Sequence, residues 1–216
     1  MLPLNLGPDR SRLRVLCLGA HGDDIEIGCA GTLLRWLREF QRVEVTWAVL
    51  SAADARGEEA RRSAQELLGS AARLDIVLGD FEDAYLPADF RRAKTFLGDL
   101  RRRSEVDVVL THGLEDRHQD HRLIAELTWQ SWRDHLILEY EIPKYEGDLG
   151  RPNVFVPLSK TIAELKVKHL LEHFGSQRSK GWFSEDTFLG LMRLRGIECR
   201  APSGLAEAFL GRKTVI

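Results

Sequence analysis

The chain has 216 residues, of which 44% are hydrophobic and 30% are charged, and its formal net charge is -2. This length fits one domain over residues 1–216, and the composition is typical of a globular protein that buries a sizeable core. The near balance of charge argues against a broad nucleic-acid-binding surface, so we interpret the arginines at 101–103 as a solvated helix face.

Cysteine usage and hydropathy bear on the location of the protein. Cys17, Cys29 and Cys199 are odd in number and widely spaced, which indicates a reducing compartment. The N-terminal segment lacks a basic start followed by an apolar core, and no apolar run approaches the roughly eighteen residues of a membrane span. We therefore expect a cytoplasmic protein, either a monomer or a homo-oligomer.

The first elements in chain order are a strand, an acidic turn and a helix. The apolar run 13–19 ends in glycine, which favours a buried strand, and apolar residues over 33–40 repeat at helical spacing. The turn between them carries His21, Asp23 and Asp24. Open α/β sheets bind their ligands at this position, beyond the carboxyl end of a strand.

Strands and helices continue to alternate along the first two-thirds of the chain. The predicted strands cover 43–50, 75–78, the segment beginning at Val106, and 136–142. The predicted helices cover 56–68, 87–103, 159–174 and 185–195, and a further helix after residue 121 carries Leu123, Ile124 and Leu127. This order predicts an α/β fold with a Rossmann-like, predominantly parallel sheet and helices on both faces. We expect Ser159 to cap its helix and the residues after 195 to be short and mixed.

An irregular segment, 143–157, separates the last predicted strand from the helix that follows. It holds Lys144, Tyr145 and several further polar residues among three prolines and two glycines. Such a loop near the ligand edge fits either closure over a substrate or a plain surface connection, and the sequence leaves both open.

A second polar motif follows the strand that begins at Val106. The motif runs His112-Gly-Leu-Glu-Asp116-Arg-His118-Gln-Asp120-His121 and lies at the same predicted edge as the first turn. A catalytic zinc uses three protein ligands, and His21, Asp24 and His121 supply them. Iron or cobalt would fit the same set. Taken singly, a strand-end histidine is more often a turn residue and paired aspartates are common helix caps, but the pairing of the two motifs favours a metal site.

The remaining residues of the two motifs suit acid–base chemistry. Asp23 adjoins a predicted ligand and is placed to act as general base toward a water whose pKa the metal lowers. His118 shares a helix face with His121, so it can stabilise a developing oxyanion, and Asp120 can hold that imidazole charged and oriented. Gly28 and Gly31 are expected to allow close packing of the first helix.

At these residues the sequence resembles the LmbE-like zinc deacetylases, related to GlcNAc-phosphatidylinositol de-N-acetylase (PIG-L). The family motif (A/P)HPDD is matched by Ala20-His21-Gly22-Asp23-Asp24, and its GxxGTL segment is matched by residues 28–33. The family's HxxxDxHxDH motif is complete over 112–121. Two departures are Gly22 in place of proline and Ala84 after Asp83 in place of glycine, and neither removes a ligand.

The resemblance implies the same ligands and roles as the residues themselves indicate. It adds that Arg56, in an RxxE helix start, lies near the substrate, and that residues 176–177 and 206–209 correspond to C-terminal landmarks of the family. It implies a zinc-dependent N-deacetylase, a hydrolase of linear amide bonds, acting on an N-acetylglucosamine-type small-molecule sugar or conjugate. The alternatives are an amidase for a non-sugar N-acyl amine and a non-catalytic metal- or sugar-binding module on the same fold.

Overall fold

The computed structural model describes residue 6 and residues 9–215, and for residues 54 and 55 the backbone alone. Within this part of the chain lies a sheet of seven strands, in the order β3-β2-β1-β4-β5-β7-β6. Their bounds are Arg12–Gly19 (β1), Arg42–Val49 (β2), Arg73–Leu78 (β3), Val108–Thr111 (β4), Leu136–Tyr140 (β5), Val154–Pro157 (β6) and Ala206–Gly211 (β7). The first five strands are parallel, and β7 runs antiparallel to both of its neighbours.

In the part of the chain that the structure describes, six α-helices pack on the two faces of the sheet. Their bounds are Asp24–Glu39 (α1), Asp54–Leu67 (α2), Phe90–Arg103 (α3), Gln119–Ser131 (α4), Lys160–His173 (α5) and Glu185–Glu198 (α6), with short 3-10 turns at Leu86–Asp89 and Gly175–Gln177. Alternate residues of β1 belong to separate buried clusters: Cys17 packs with α1 and α5, and Leu16 packs with α3 and α4. The α/β fold with helices on both faces is thus confirmed.

The local signals that start these elements are visible in the structure. Ser159 caps α5, since its Oγ accepts a hydrogen bond from the amide of Ile162 at 3.2 Å. Ser184 caps α6 in the same way. The predicted helix start at Pro87 is a 3-10 turn that leads into α3, because proline suits the first turn but supplies no amide donor.

Two strands contradict the sequence expectation that 143–157 is wholly irregular and that the residues after 195 are mixed. β6 occupies the end of that segment, and β7 lies between β5 and β6. The buried Glu207 interrupts the apolar pattern of β7, which explains why the strand is not evident from hydrophobicity. The two strands complete the sheet beyond β5.

The strand order reverses between β1 and β4. From β1 the chain proceeds outward to β2 and β3, then returns to place β4 on the other side of β1. Such a switch point leaves a crevice at the carboxyl ends of the two central strands, where ligands bind in open α/β sheets. Among the described residues no helix has the length and apolar character needed to cross a membrane.

Candidate active site and metal centre

Three candidate side chains follow β1 directly. His21 and Asp23 occupy the turn between Gly19 and the first residue of α1, Asp24. The amide of His21 donates to Asp24 Oδ2 at 2.7 Å, which holds this carboxylate beside the imidazole. Asp23 precedes α1, but its side chain makes no capping hydrogen bond. Helix capping therefore does not account for the aspartate pair.

A second group of side chains enters from the start of α4. His118 precedes the helix, while Asp120 and His121 lie buried in its first turn. Since β1 and β4 are adjacent parallel strands, the segments that follow them meet at one edge of the sheet. The structure thus brings together the residues of both motifs, which are about a hundred positions apart in the sequence.

The potential ligand atoms of three side chains form a triangle of close contacts, in which Asp24 presents one carboxylate oxygen to each imidazole. His21 Nδ1 lies 3.2 Å from His121 Nε2 and 3.4 Å from Asp24 Oδ2. Asp24 Oδ1 lies 3.5 Å from His121 Nε2. A tetrahedral zinc ion with bonds of about 2.1 Å keeps its ligand atoms about 3.4 Å apart. The three side chains predicted as ligands therefore fit such an ion.

Two further carboxylates hold the outer nitrogens of these imidazoles. Asp116 Oδ2 lies 2.9 Å from His121 Nδ1, and Asp83 Oδ1 lies 3.0 Å from His21 Nε2. A carboxylate accepts hydrogen bonds, so both outer nitrogens donate and the inner ones face the triangle. Such carboxylate–histidine pairs commonly orient metal-binding imidazoles.

The electrostatics of the triangle favour a cation. Burial opposes a positive charge on His21, but Asp24, Asp120 and Asp83 outweigh it and raise the pKa of His21 well above its ordinary value. Burial also opposes ionisation of Asp24, but the imidazoles around it, first His121 and then His112, hold the pKa of Asp24 well below its usual range. A positive charge in the triangle is therefore strongly stabilised.

Asp23 has a different environment from its neighbour. Burial raises the pKa of Asp23 to about 6, and the negative charge of Asp24 acts in the same direction. Its carboxylate is 7% exposed. A buried carboxylate with a raised pKa next to a cation site has the basicity expected of a general base.

His118 and Asp120 are connected through the backbone. The amide of Asp120 donates to His118 Nδ1 at 3.3 Å, whereas the Asp120 carboxylate accepts from the amides of Ala84 and Leu86 at 2.8 and 3.1 Å. Burial lowers the pKa of His118, and so does His21. The hydrogen-bonded Nδ1 is an acceptor, so neutral His118 carries its proton on Nε2.

Arg56 lies at the rim of this site, in the first turn of α2. Its Nη1 donates to Asp83 Oδ2 at 2.5 Å, and its side chain is 46% exposed. The same Asp83 also contacts His21, so Asp83 links Arg56 to the triangle. The imidazole of His21 and this guanidinium hold the pKa of Asp83 below its usual range.

The segment 143–157 reaches the same region. Lys144 Nζ lies 3.1 Å from Asp116 Oδ1 and 2.7 Å from Asp148 Oδ2. The hydroxyl of Tyr145, which is 75% exposed, accepts a hydrogen bond from the amide of Gly181. The segment is therefore anchored at two points. Lys144 contacts Asp116, which holds the candidate ligand His121, and Tyr145 contacts the turn after α5.

Sequence reasoning gave no role to three residues that the structure places in the site. Asp83 and Asp116 hold the imidazoles, and fully buried His112 stacks on His121 at 3.9 Å between ring centroids. His112 Nε2 also lies 3.2 Å from Asp24 Oδ2. His112 and Asp116 stand in the second motif, so that motif marks them, whereas Asp83 matches a family position that gives no indication of a contact with His21.

The chain is similar to proteins that bear on its classification. It is 25% identical over 181 residues to the uncharacterized deacetylase YaiS of Escherichia coli (strain K12), covering 78% of this chain and 94% of YaiS. The structure of N,N'-diacetylchitobiose deacetylase from Pyrococcus horikoshii matches with a TM-score of 0.71 and 21% identity, over 92% of this chain and 83% of that one.

A structure with another activity shares the same fold. GalB, the 4-carboxy-2-hydroxymuconate hydratase from Pseudomonas putida KT2440, matches with a TM-score of 0.75 and 16% identity, over 94% of this chain and 98% of that one. At such identity the likeness shows the fold alone. The sequence itself matches the family model for GlcNAc-PI de-N-acetylase over residues 16–132, which is more than half of its length. The chain therefore belongs to the GlcNAc-PI de-N-acetylase family of hydrolytic N-deacetylases.

Proposed function

We propose that this protein hydrolyses the N-acetyl group of an N-acetylglucosamine-type sugar or sugar conjugate, with zinc held by His21, Asp24 and His121. The observation that carries the proposal is that potential ligand atoms of these three side chains approach one another to 3.2 to 3.5 Å, with buried Asp23 directly before Asp24 in the chain. A cation between the inner nitrogens of the two histidines would be held by both imidazoles and by the Asp24 carboxylate.

The zinc ion supplies Lewis acidity that polarises a carbonyl and lowers the pKa of water. Asp23 accepts the proton of the attacking water and can pass it to the amine that leaves. The Nε2 proton of His118 stabilises the negative oxygen that develops on the acetyl carbonyl, which a neutral imidazole donor can do. The products are acetate and the free amino sugar.

The sugar part of the proposal is supported by the family and by one similar structure. The family model describes a de-N-acetylase of a GlcNAc conjugate, and the Pyrococcus horikoshii protein is a diacetylchitobiose deacetylase. Arg56 lies at the rim of the site, where its exposed guanidinium can donate hydrogen bonds to hydroxyl groups, and the segment 143–157 contacts the site through Lys144 and Asp116. The same catalytic residues would serve a non-sugar N-acyl amine, so the substrate must be tested directly.

A reducing, cytoplasmic location is also proposed. Cys17, Cys29 and Cys199 are free thiols and all three are buried. Unpaired cysteines in a folded core are usual where thiols stay reduced.

The test measures acetate release from a panel of N-acetyl sugars, nucleotide sugars and simple N-acyl amines. Zinc-loaded protein is expected to deacetylate sugar substrates, and the variant Asp23→Asn is expected to lose about 10²- to 10⁴-fold in kcat while it binds the same amount of zinc. Loss of zinc together with activity would contradict the role of Asp23 as a base. Turnover confined to non-sugar amides would contradict the sugar proposal and favour the alternative of an amidase for a non-sugar N-acyl amine.

A further inference from the structure

A second cluster of ligating side chains lies where α2 packs against α5. His169 and His173 are four residues apart on α5, and the centroids of their rings are 4.2 Å apart. Glu66, in the last turn of α2, places its Oε2 3.2 Å from His173 Nε2. One ligating atom from each of the three residues lies within 4.8 Å of the other two. None of these residues belongs to either catalytic motif.

His169 is held in place from its buried side. Its Nε2 lies 2.8 Å from the hydroxyl of Ser63, which also hydrogen-bonds to the carboxylate of Glu26. Since Ser63 occupies Nε2, the nitrogen that remains for an ion is Nδ1. Imidazoles that bind metals commonly have such a partner on the other nitrogen, because it fixes both the ring and the tautomer.

We propose that Glu66, His169 and His173 form a second binding site for a divalent transition metal such as zinc. Two imidazoles and a carboxylate are donors that zinc prefers, and a spacing of four residues places both rings on one helix face. The side chain of Glu66 is 66% exposed and that of His173 is 13% exposed, so an ion can enter from solvent. The exposed carboxylate can also shift to close the remaining distance.

The position of the site indicates a structural role. Glu66 belongs to α2 and the two histidines to α5, so an ion bound to all three joins the helices. Binding to the folded form alone raises stability by mass action. The site lies on a helix pair, while the catalytic residues lie beyond the ends of β1 and β4, so its loss leaves the catalytic residues in place.

The experiment counts zinc equivalents by isothermal titration calorimetry and elemental analysis, starting from protein freed of metal with a chelator. Wild-type protein is expected to bind two equivalents and His173→Gln one. The control Glu172→Gln changes an exposed residue of the same helix and is expected to bind two. If His173→Gln bound as many equivalents as wild type, the proposal would be overturned.

A variant that lacks a catalytic ligand distinguishes zinc binding at this site from zinc binding at the catalytic site. In Asp24→Asn, which removes a catalytic ligand, one equivalent is expected to remain, and in the double variant with His173→Gln none. Zinc is expected to raise the Tm of Asp24→Asn but not the Tm of the double variant Asp24→Asn/His173→Gln. Glu66→Gln, at an exposed position, serves if His173→Gln does not fold. Equal zinc binding by Asp24→Asn with and without the second substitution would contradict the proposal.

Discussion

His21 is the proposed ligand at which a proton and a metal ion would compete. In the metal-free protein, the surrounding carboxylates raise the pKa of this imidazole well above its ordinary value despite burial. Its Nδ1 faces Asp24 and His121, which is also where an ion would bind. The same three side chains therefore hold either charge.

This competition predicts that zinc binding to the catalytic site releases a proton and weakens as the pH falls. The sign follows from the raised pKa: the metal-free site holds a proton at neutral pH, and that proton must leave when zinc binds. The release is measured as the dependence of the calorimetric enthalpy on the ionisation enthalpy of the buffer, using His173→Gln so that only the catalytic site contributes. Binding that is independent of buffer and pH would contradict the charge assigned to His21.

Asp116 contacts the outer nitrogen of the proposed ligand His121. Its Oδ2 accepts from His121 Nδ1 at 2.9 Å, and Lys144 lies 3.1 Å from its other oxygen. We expect Asp116→Asn to weaken zinc affinity by about 10- to 100-fold while the fold is kept, because the imidazole loses its orienting acceptor. Zinc affinity is measured by competition with a chelating dye. Glu115→Gln, at the exposed neighbouring position, is the control and is expected to bind zinc like wild type.

At the scale of elements, the placement of the catalytic residues depends on how closely α1 approaches the sheet. A side-chain carbon at Gly28 would overlap the ring of Tyr140 on β5, and one at Gly31 would overlap Leu158. Tyr140 is itself fixed, since its hydroxyl donates to the carbonyl of Leu18 at 2.6 Å. The expectation that these glycines allow close packing is met by this geometry.

Gly28→Ala is expected to destabilise the protein by about 1–3 kcal/mol, because the added methyl group must displace α1 or the ring of Tyr140. The matched control is Gly190→Ala on α6, where an added carbon meets nothing within 4 Å. That variant is expected to be neutral or to gain up to about 1 kcal/mol. Urea unfolding measures both free energies. Equal effects of the two substitutions would show that the close contact is not what matters at Gly28.

The elements that could be predicted from the sequence are those with a simple hydrophobic period. β1 coincides with the apolar run 13–19 and is buried on both faces near its C-terminal end. In α1 and α5 the apolar residues recur at helical spacing. β7 could not be predicted in this way, since Glu207 lies buried in it and its partner β6 lies far from it in the sequence. Pairing of that kind depends on the folded sheet.

The same limit applies to the site. His21, Asp24 and His121 could be predicted as ligands because their motifs mark them, and the structure places the three side chains in contact with one another. The contact of Asp83 with His21 lies outside both motifs. Likewise, the sequence suggests that Asp120 supports His118 through its carboxylate, whereas the hydrogen bond between the two residues comes from the backbone amide.

At the scale of the whole molecule, one buried ion pair connects three elements. Glu207 on β7 accepts from Lys166 Nζ of α5 at 2.6 Å and from the amides of Gly31 and Thr32 of α1 at 2.9 and 2.6 Å. Both charged side chains are almost fully buried. The carboxylate therefore joins the last strand to the helix that begins at the site.

Glu207→Gln is expected to lower the free energy of unfolding by about 3–5 kcal/mol, since it leaves the Lys166 ammonium buried without a charged partner. The control is Glu172→Gln, which removes an exposed pair with Lys168 and is expected to cost less than about 1 kcal/mol. Chemical denaturation compares the two variants. A similarly small effect of both substitutions would show that the buried pair contributes little.

The position of β7 between β5 and β6 also constrains synthesis of the protein. β7 is translated after the other six strands, yet it supplies the only contact within the sheet between β6 and the rest of the described strands. Until it leaves the ribosome, β5 presents an open edge and α1 lacks the carboxylate that binds its amides. At about 5–20 residues per second, the nascent chain exposes that edge for seconds before β7 covers it.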